Sequence, residues 1–225
     1  METLFSGEFL EIASMLGEAL VETFYMVFFS TAISYLFGLP LGIILVITEK
    51  GHIAENLPLN KVLAAIINAT RSLPFIILLV ALIPFTKLLV GKFIGTTAAI
   101  VPLTIGAIPF VARMVETSLK EVEWGLIEAS LSMGTSPWQL IRKVLVPEAL
   151  SSLVMGATIT TITLIGYSAM AGFVGGGGLG DLGVRYGFYR YRPDIMLTVV
   201  VTLIVLVQLL QMMGDHIAQK LNKKN

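Results

Sequence analysis

Long stretches without a charged residue limit most strongly what this chain can fold into. Four such runs have at least 20 residues, at 23–48, 93–112, 149–180 and 195–214. A fifth run, 72–86, has 15 residues. About 20 helical residues are needed to cross the ~30 Å hydrocarbon core of a bilayer. The sequence therefore predicts a chain built from membrane-crossing helices.

The composition supports this class and excludes several others. Hydrophobic residues make up 56% of the 225 residues and charged residues 13%, whereas soluble domains carry about 25% charged residues. The 15 basic and 15 acidic residues cancel, which removes a general electrostatic case for binding nucleic acid. The chain has no cysteine, so disulfides, thiol nucleophiles and thiolate metal ligands are excluded.

We expect five membrane spans. The run at 72–86 is long enough if its helix starts near Val62 and accepts Arg71 in its first turns. Alternatively this span begins at Ser72 and leaves Arg71 at the interface as a phosphate anchor; inside the membrane, a basic residue is functional by default. We predict an all-α polytopic fold with one transmembrane domain over 1–225. Its expected spans are 21–48, 62–86, 93–114, 148–173 and 195–216.

The distribution of Lys and Arg predicts the orientation, because the cytoplasmic side of a membrane protein is richer in both. With the N-terminus outside, ten such residues fall in inner segments: Lys50, Lys61, Arg71, Arg113, Lys120, Arg142, Lys143, Lys220, Lys223 and Lys224. Five fall in outer segments: Lys87, Lys92, Arg185, Arg190 and Arg192. We therefore expect a multi-pass protein of the cytoplasmic membrane with its N-terminus outside and its C-terminus inside. This orientation puts the polar segment 115–147 in the cytoplasm.

The polar segment 115–147 has the pattern of a docking device. Its apolar residues recur at three- and four-residue steps, which predicts a short amphipathic helix at about Val122–Met133. Gly134 favours the left-handed conformation that commonly ends a helix. Ser136 fits the cap, and Pro137 the first position, of a following helix. We call this helix, the turn at Gly134 and the helix beginning at Pro137 the elbow. An elbow of this kind suits insertion into a groove of a partner, although a helix lying on the membrane surface has the same periodicity.

The glycine-rich run 175–180 does not form a nucleotide site, because no G-x-x-x-x-G-K-[ST] pattern occurs in the chain. We expect a sharp break there, at the outer end of the fourth span, where small residues let backbones approach closely. The pair Gly38 and Gly42 likewise permits close helix contact. No cofactor is expected.

Enzymatic alternatives find little support in the sequence. Gly178-Leu179-Gly180-Asp181 imitates a signature of intramembrane aspartyl proteases, whose chemistry needs two carboxylates at one site. No second Asp lies mid-span to complete such a pair. Gly166-Tyr167-Ser168-Ala169-Met170 lacks the second glycine of a serine-hydrolase motif. His52 and His216 stand in no metal-ligand pattern, so we expect neither catalytic residues nor a metal site.

A cluster of Tyr and Arg at 186–192 has two interpretations. Aromatic and basic side chains anchor proteins at the membrane interface, and the same surface could receive a substrate-delivery protein. The sequence leaves both open.

The residues of the polar segment match a known spacing. Glu128-Ala129-Ser130, Gly134 and Val144-Leu145-Val146-Pro147 follow the EAA loop of ABC importer permeases: Glu-Ala-Ala, three residues, Gly, nine residues, Ile-x-Leu-Pro. Three near-isosteric departures occur, namely Ser130 for Ala, Val144 for Ile and Val146 for Leu. Further matching stretches are Arg71–Phe75, Thr104–Glu116 and Gly166–Met170. Over nearly its whole length the chain resembles the methionine importer permeases, which are compact five-helix ABC permeases.

This resemblance implies a homodimer around a central pathway, docked on two ATP-binding cassette subunits that hydrolyse ATP. The residues expected to couple to the ATPase are Glu128, Ala129, Ser130, Gly134 and Pro147. An extracytoplasmic binding protein would deliver methionine, with membrane lipid around the dimer and transport by alternating access. The chain itself would not be an enzyme.

The resemblance also implies that Tyr167 and Met170 face the pathway near its gate, where a soft methionine side chain suits a reversible seal. Ordinary helix packing is the alternative for Met170. For the function, the alternatives are a permease for another amino acid or a small osmoprotectant and, more remotely, a channel or an intramembrane protease.

Overall fold

The computed structural model describes the backbone of residues 2–222 and the side chains of residues 10–222, so Lys223 and Lys224 of the charge count lie outside the described residues. This part of the chain is built from helices and turns, with no strand. The elements are α1 (Glu2–Ile47), α2 (Leu57–Arg71), α3 (Phe75–Ala81), α4 (Ile83–Val90), α5 (Thr96–Lys120), α6 (Trp124–Ser132), α7 (Pro137–Leu140), a π-helical turn (Ile141–Leu145), α8 (Val146–Glu148), α9 (Leu150–Gly172), α10 (Gly178–Leu182), a second π-helical turn (Gly183–Phe188) and α11 (Pro193–Leu221).

Within residues 10–222, four helices are long and apolar enough to cross a membrane: Leu10–Ile47 of α1, and α5, α9 and α11. Helices α2 and α3 meet the same criteria together, but they are bent by 97° at the break between them. The described part thus holds four spanning helices, or five if the bent pair forms one span. All-α polytopic architecture is confirmed.

The predicted span 62–86 is divided by the structure among α2, α3 and α4. The main break lies before Pro74, which lacks a backbone N–H and disfavours the helical conformation of the residue before it. Arg71 is the last residue of α2 and is exposed. The sequence count of charges did not reveal this break, because residues 72–86 carry no charge at all.

The chain forms two compact units. The first comprises Met1–Thr31, Pro74–Thr104 and Thr161–Leu209; the second comprises Ala32–Leu73, Ile105–Thr160 and Leu210–Asn225. The core of the second unit joins Val46 of α1 to the inward face of α5. Further buried core residues come from α6, α7 and the first π-helical turn: Ile127, Leu140, Ile141 and Leu145.

Helices α1 and α5 approach closely within the second unit because two glycines face α5. A Cβ atom built on Gly42 would lie 2.6 Å from the Ala112 carbonyl oxygen and 2.6 Å from Val115 Cβ. One built on Gly38 would lie 2.7 Å from Val111 Cβ. The close contact predicted from the spacing of these glycines is confirmed.

The glycine-rich run makes the predicted sharp break in the first unit. Helix α9 ends at Gly172, and Gly177 and Gly178 follow with φ of +82° and +76°, a region that glycine adopts without a steric penalty. The new helix α10 is fixed on α1, since the Gly178 N–H donates to Glu22 Oε2 at 2.6 Å and the Leu179 N–H to Thr23 Oγ1 at 2.9 Å. These side chains satisfy two of the N–H groups that a helix N-terminus leaves open.

Replacement of Gly42 by alanine should destabilise the protein, because the added methyl group meets backbone and a β-branched side chain rather than a flexible chain end. Overpacking of this kind costs about 1–3 kcal/mol. A thermal melt of the purified protein in detergent measures the effect as a fall of the unfolding midpoint by several degrees. Gly17→Ala is the matched control on α1, because no described heavy atom lies within 4 Å of a Cβ there. Equal midpoints for the two variants would show that the α1–α5 contact is not tight.

Candidate functional site

The polar segment folds into the predicted elbow of two helices. Helix α6 runs from Trp124 to Ser132, inside the predicted range, and Gly134 follows with φ of +76°. Ser136 caps α7 in a capping box: the Gln139 N–H donates to the Ser136 hydroxyl, and the Ser136 N–H donates to Gln139 Oε1. The predictions for Gly134, for the Ser136 cap and for Pro137 at the start of the second helix are confirmed.

The turn between α6 and α7 is fastened by side chains. The Ser130 hydroxyl donates to Thr135 Oγ1 at 3.0 Å, and the Thr135 hydroxyl donates back to the Ser130 carbonyl oxygen at 2.6 Å. Ser130 is buried. Treating Ser130 as an isosteric replacement for alanine missed this role, because the hydroxyl supplies a hydrogen bond that alanine lacks. The polar side chain therefore stiffens the elbow.

The elbow has one packed face and one open face. Ile127, Ser130 and Leu140 are buried in the second unit, whereas Glu128 and Ala129 are exposed. Several large apolar side chains are also open to the surroundings: Met133 is 80% exposed and Trp138 is 68% exposed, with Leu126 and Leu131 beside them in the chain. Exposed apolar side chains this near one another in the chain make the elbow a candidate interaction surface.

Pro147 lies where the elbow joins α9. The π-helical turn Ile141–Leu145 ends two residues before it, and the Val146 N–H donates to the Ile141 carbonyl five residues back. A proline ring crowds the carbonyl four residues earlier and supplies no N–H, and a π-turn widens the helix at such a point. Helical backbone thus continues from α7 through α8 into α9 with only a local irregularity.

The two predicted gate residues lie on α9 in the first unit. The Tyr167 ring stacks on the Phe75 ring, with the centroids 4.3 Å apart and the planes 2° from parallel. Met170 is three residues further along and 44% exposed. The coupling residues Glu128, Ala129, Ser130, Gly134 and Pro147 belong to the second unit, so the structure groups the two predicted sets separately.

A chain of charged groups lies beside the elbow, and only part of it leaves a signal in the sequence. The buried Glu116 carboxylate forms an ion pair with the Arg113 guanidinium at 2.5 Å and another with the Lys120 ammonium at 3.0 Å. Lys120 also pairs at 2.9 Å with Glu49, which follows the end of α1. The spacing of three and four residues within α5 could have suggested the first two pairs. The third pair joins positions 71 residues apart and leaves no local signal.

The loop after α1 contacts the elbow as well. The His52 ring lies edge-on to the Trp124 ring, with centroids 5.7 Å apart. Burial lowers the pKa of His52; the Lys120 ammonium acts in the same direction, and the Glu49 carboxylate opposes it. A lowered pKa favours the neutral imidazole over the charged one. The shift therefore suits an aromatic contact between the His52 ring and Trp124.

Asp181, the acidic residue of the protease-like signature, is buried and pairs with Arg185. Its partner is thus a guanidinium group rather than a second carboxylate. Among the described residues, no group of three or more His, Cys, Asp or Glu side chains could hold a metal ion.

In the cluster of Tyr and Arg, the Arg190 guanidinium lies 4.4 Å from the Tyr186 ring centroid, Arg192 pairs with Asp194, and Tyr191 is 87% exposed.

Comparison with known proteins places this architecture among transport proteins. Residues 38–223 match the model of the family described as binding-protein-dependent transport system inner membrane component. The probable D-methionine transport system permease protein MetI of Vibrio cholerae is 56% identical over 94% of this chain and 94% of its own length. The D-methionine transport system permease protein MetI of Escherichia coli K12 is 57% identical over 67% of this chain and 70% of its own.

Solved structures agree with this assignment. A chain of the MetNI methionine ABC transporter in an inward-facing conformation superimposes with a TM-score of 0.92 and 52% identity, covering 94% of this chain and 98% of that one. An amino acid ABC transporter solved with histidines shares the fold, with a TM-score of 0.78 at 19% identity. The chain therefore belongs to the family of inner membrane components of binding-protein-dependent transport systems, and it is a multi-pass membrane protein.

Proposed function

We propose that this chain is the permease subunit of an ATP-driven ABC importer that carries methionine across the cytoplasmic membrane by alternating access. The observation that carries the proposal is the likeness to the MetNI methionine transporter, at 52% identity over 94% of this chain. Relatives described as D-methionine permeases, up to 57% identical, support the same substrate. The permease does not hydrolyse ATP; a separate ATP-binding subunit does.

In the proposed topology five spans place the N-terminus outside and the C-terminus in the cytoplasm. Helices α1, α5, α9 and α11 provide four spans, and the bent pair α2–α3 provides the remaining one. The excess of Lys and Arg in the inner segments supports this orientation. The elbow then lies in the cytoplasm, where an ATP-binding subunit is available to it.

The proposed working complex is a homodimer of this chain with two ATP-binding cassette subunits, supplied by an extracytoplasmic methionine-binding protein. The open face of the elbow docks into a groove of the ATP-binding subunit, with Glu128 and Ala129 at its surface and Met133 and Trp138 as apolar anchors. Gly134 and Ser130 hold the elbow in shape. Pro147 joins it to α9, so that a displacement of the elbow reaches a spanning helix.

The proposed gate is formed on α9 by Tyr167 and Met170. Stacking on Phe75 fixes the Tyr167 ring, while Met170 presents a flexible thioether that is open in the single chain. Two such side chains brought together by the dimer would close a pathway against an apolar substrate and reopen at low cost.

One experiment tests both the substrate and the assignment as an ABC importer permease. It uses proteoliposomes that hold this chain, its ATP-binding subunit and the binding protein. We expect methionine to stimulate ATP hydrolysis and to accumulate inside, whereas histidine and glycine betaine should do neither. Stimulation by another solute alone would keep the permease and discard methionine. Failure to bind any ATP-binding subunit would contradict the proposal as a whole.

Gly134→Val should uncouple the transporter. A β-branched residue at a φ of +76° costs about 1–3 kcal/mol locally, so the turn reshapes and the open face no longer fits its groove. We expect normal membrane insertion and dimerisation with loss of methionine-stimulated ATP hydrolysis, measured in proteoliposomes. Glu128→Lys should have the same effect through its reversed charge.

Gly125→Ala is the matched glycine control for this experiment. It lies on α6 of the same elbow, is exposed, and has no described heavy atom within 4 Å of a built Cβ. This variant should keep full stimulation. Normal coupling in both Gly134→Val and Glu128→Lys would rule out the docking role of the elbow.

Met170→Ala should weaken the gate. Removing the thioether chain leaves a gap in the seal, so we expect net methionine uptake to fall several-fold and preloaded methionine to leak from the vesicles. Met212→Ala on α11 is the control, because Met212 is 65% exposed and belongs to a different helix. If Met170→Ala showed normal uptake and normal basal ATP hydrolysis, Met170 would be an ordinary packing residue.

A further inference from the structure

The segment between α1 and α2, residues 48–56, is a firmly built loop. Two backbone bonds close it, from Ala54 N to the Ile47 oxygen and from Asn56 N to the Thr48 oxygen, each 3.0 Å long. The Gly51 N–H donates to Glu55 Oε2 at 2.8 Å. Beyond the loop, the Asn60 side-chain amide of α2 donates to the Leu45 oxygen of α1 at 2.7 Å. These bonds make the 48–56 loop and the adjoining helix ends one stiff piece.

This loop contacts the elbow at the start of α6. His52 meets Trp124, the first residue of α6. Ile53 packs against the core that also holds Ile127 of α6 and Val122. The loop therefore touches the elbow through one aromatic contact at the start of α6, and Ile53 packs against the same core as Ile127.

An ion pair ties the same loop to the end of α5. Glu49 pairs with Lys120, the last residue of α5, at 2.9 Å. Lys120 also holds the buried Glu116, which pairs with Arg113. Arg113 in turn donates to Asn68 Oδ1 of α2 at 2.9 Å. The charged groups thus connect α1, α2 and α5 immediately before the chain enters the elbow.

The covalent connections of α6 alone would leave it free to pivot. A three-residue turn, 121–123, precedes α6, and the turn around Gly134 follows it. A force applied to the open face would rotate α6 about these two turns unless its packed face were held. The His52–Trp124 contact joins α6 to the 48–56 loop at the end where α6 begins.

We propose that the 48–56 loop is a second coupling element, in which His52, Glu49 and Ile53 are positioning residues for the elbow. A displacement of α6 by the ATP-binding subunit passes through these contacts to α1 and α2, in addition to the path through Pro147 to α9. This inference rests on the proposed function, because it assigns a partner-driven movement to the elbow. The physical basis of the inference is that a movement passes between stiff elements through their packed contacts, here those of the 48–56 loop with Trp124 and Lys120.

The test measures how many methionine molecules enter per ATP hydrolysed, in proteoliposomes with the ATP-binding subunit and the binding protein. The variants are His52→Ala, Glu49→Gln and the two combined. Because each contact is individually modest, we expect each single variant to lower the ratio about two- to five-fold, and the double variant to lower it further. Co-purification of the ATP-binding subunit and basal ATP hydrolysis should stay normal.

Matched variants separate positioning from general stability. His52→Phe keeps an aromatic ring against Trp124 and should restore the ratio. His216→Ala removes the exposed histidine of α11, and Glu121→Gln neutralises an exposed carboxylate next to α5; both should behave as wild type. The unfolding midpoint in detergent should be similar for all variants that assemble.

The possible outcomes are distinct. A normal ratio in the double variant would overturn the positioning role while leaving the permease function intact. Loss of assembly, or a His52→Phe variant no better than His52→Ala, would also overturn it, since the loop would then serve folding alone. A wild-type complex without any methionine response would contradict the proposed function itself, and the inference would fall with it.

Discussion

The close contact of α1 and α5 is the interaction on which the second unit depends. Gly38 and Gly42 let the two backbones approach until Val111 and Val115 lie directly against α1. This approach brings Val46 of α1 into the same buried core as Val115 and Ile127. Dispersion forces over such short distances are individually small and collectively large. The core formed in this way is the support on which α6 lies, so a pair of glycines far from the elbow in sequence determines where the elbow sits.

The elbow combines a fixed inner face with an open outer face. Its inner face is fixed by Ile127 and Leu140 and by the hydrogen bonds between Ser130 and Thr135. Its outer face leaves Met133 and Trp138 open, at a cost in exposed apolar surface that a partner would remove. A surface that is rigid before binding loses little conformational entropy when it docks. In the proposed coupling role, such an element would lose little of an applied displacement in changing its own shape.

The sequence predicted the features that depend on residues close together in the chain. It did not predict the contacts that join residues far apart in the chain. Gly134 and the cap at Ser136 depend on neighbours within a few residues, so their pattern was sufficient. The break before Pro74 was predicted only in part: charge-free length favoured one span over 62–86, whereas the alternative start at Ser72 comes close to the observed break between α2 and α3. The Glu49–Lys120 pair and the His52–Trp124 contact join distant positions, and only the packing of α1 on α5 brings them together.

The charged chain at the end of α5 is better understood as a device for register than for stability. Two acids and two bases, Glu49, Glu116, Arg113 and Lys120, compensate one another along one line of contacts. Pairs that remain partly in water contribute little to folding, and Lys120 and Glu49 are both more than 40% exposed at their side chains. Sliding α1 along α5 would separate Glu49 from Lys120, whereas Glu116 would keep Arg113 and Lys120, which lie on α5 with it. The tight packing of Gly38 and Gly42 against α5 opposes the same movement. The ends of α1 and α5 therefore move together more readily than they move apart, and a loop attached to α1 can follow a helix attached to α5.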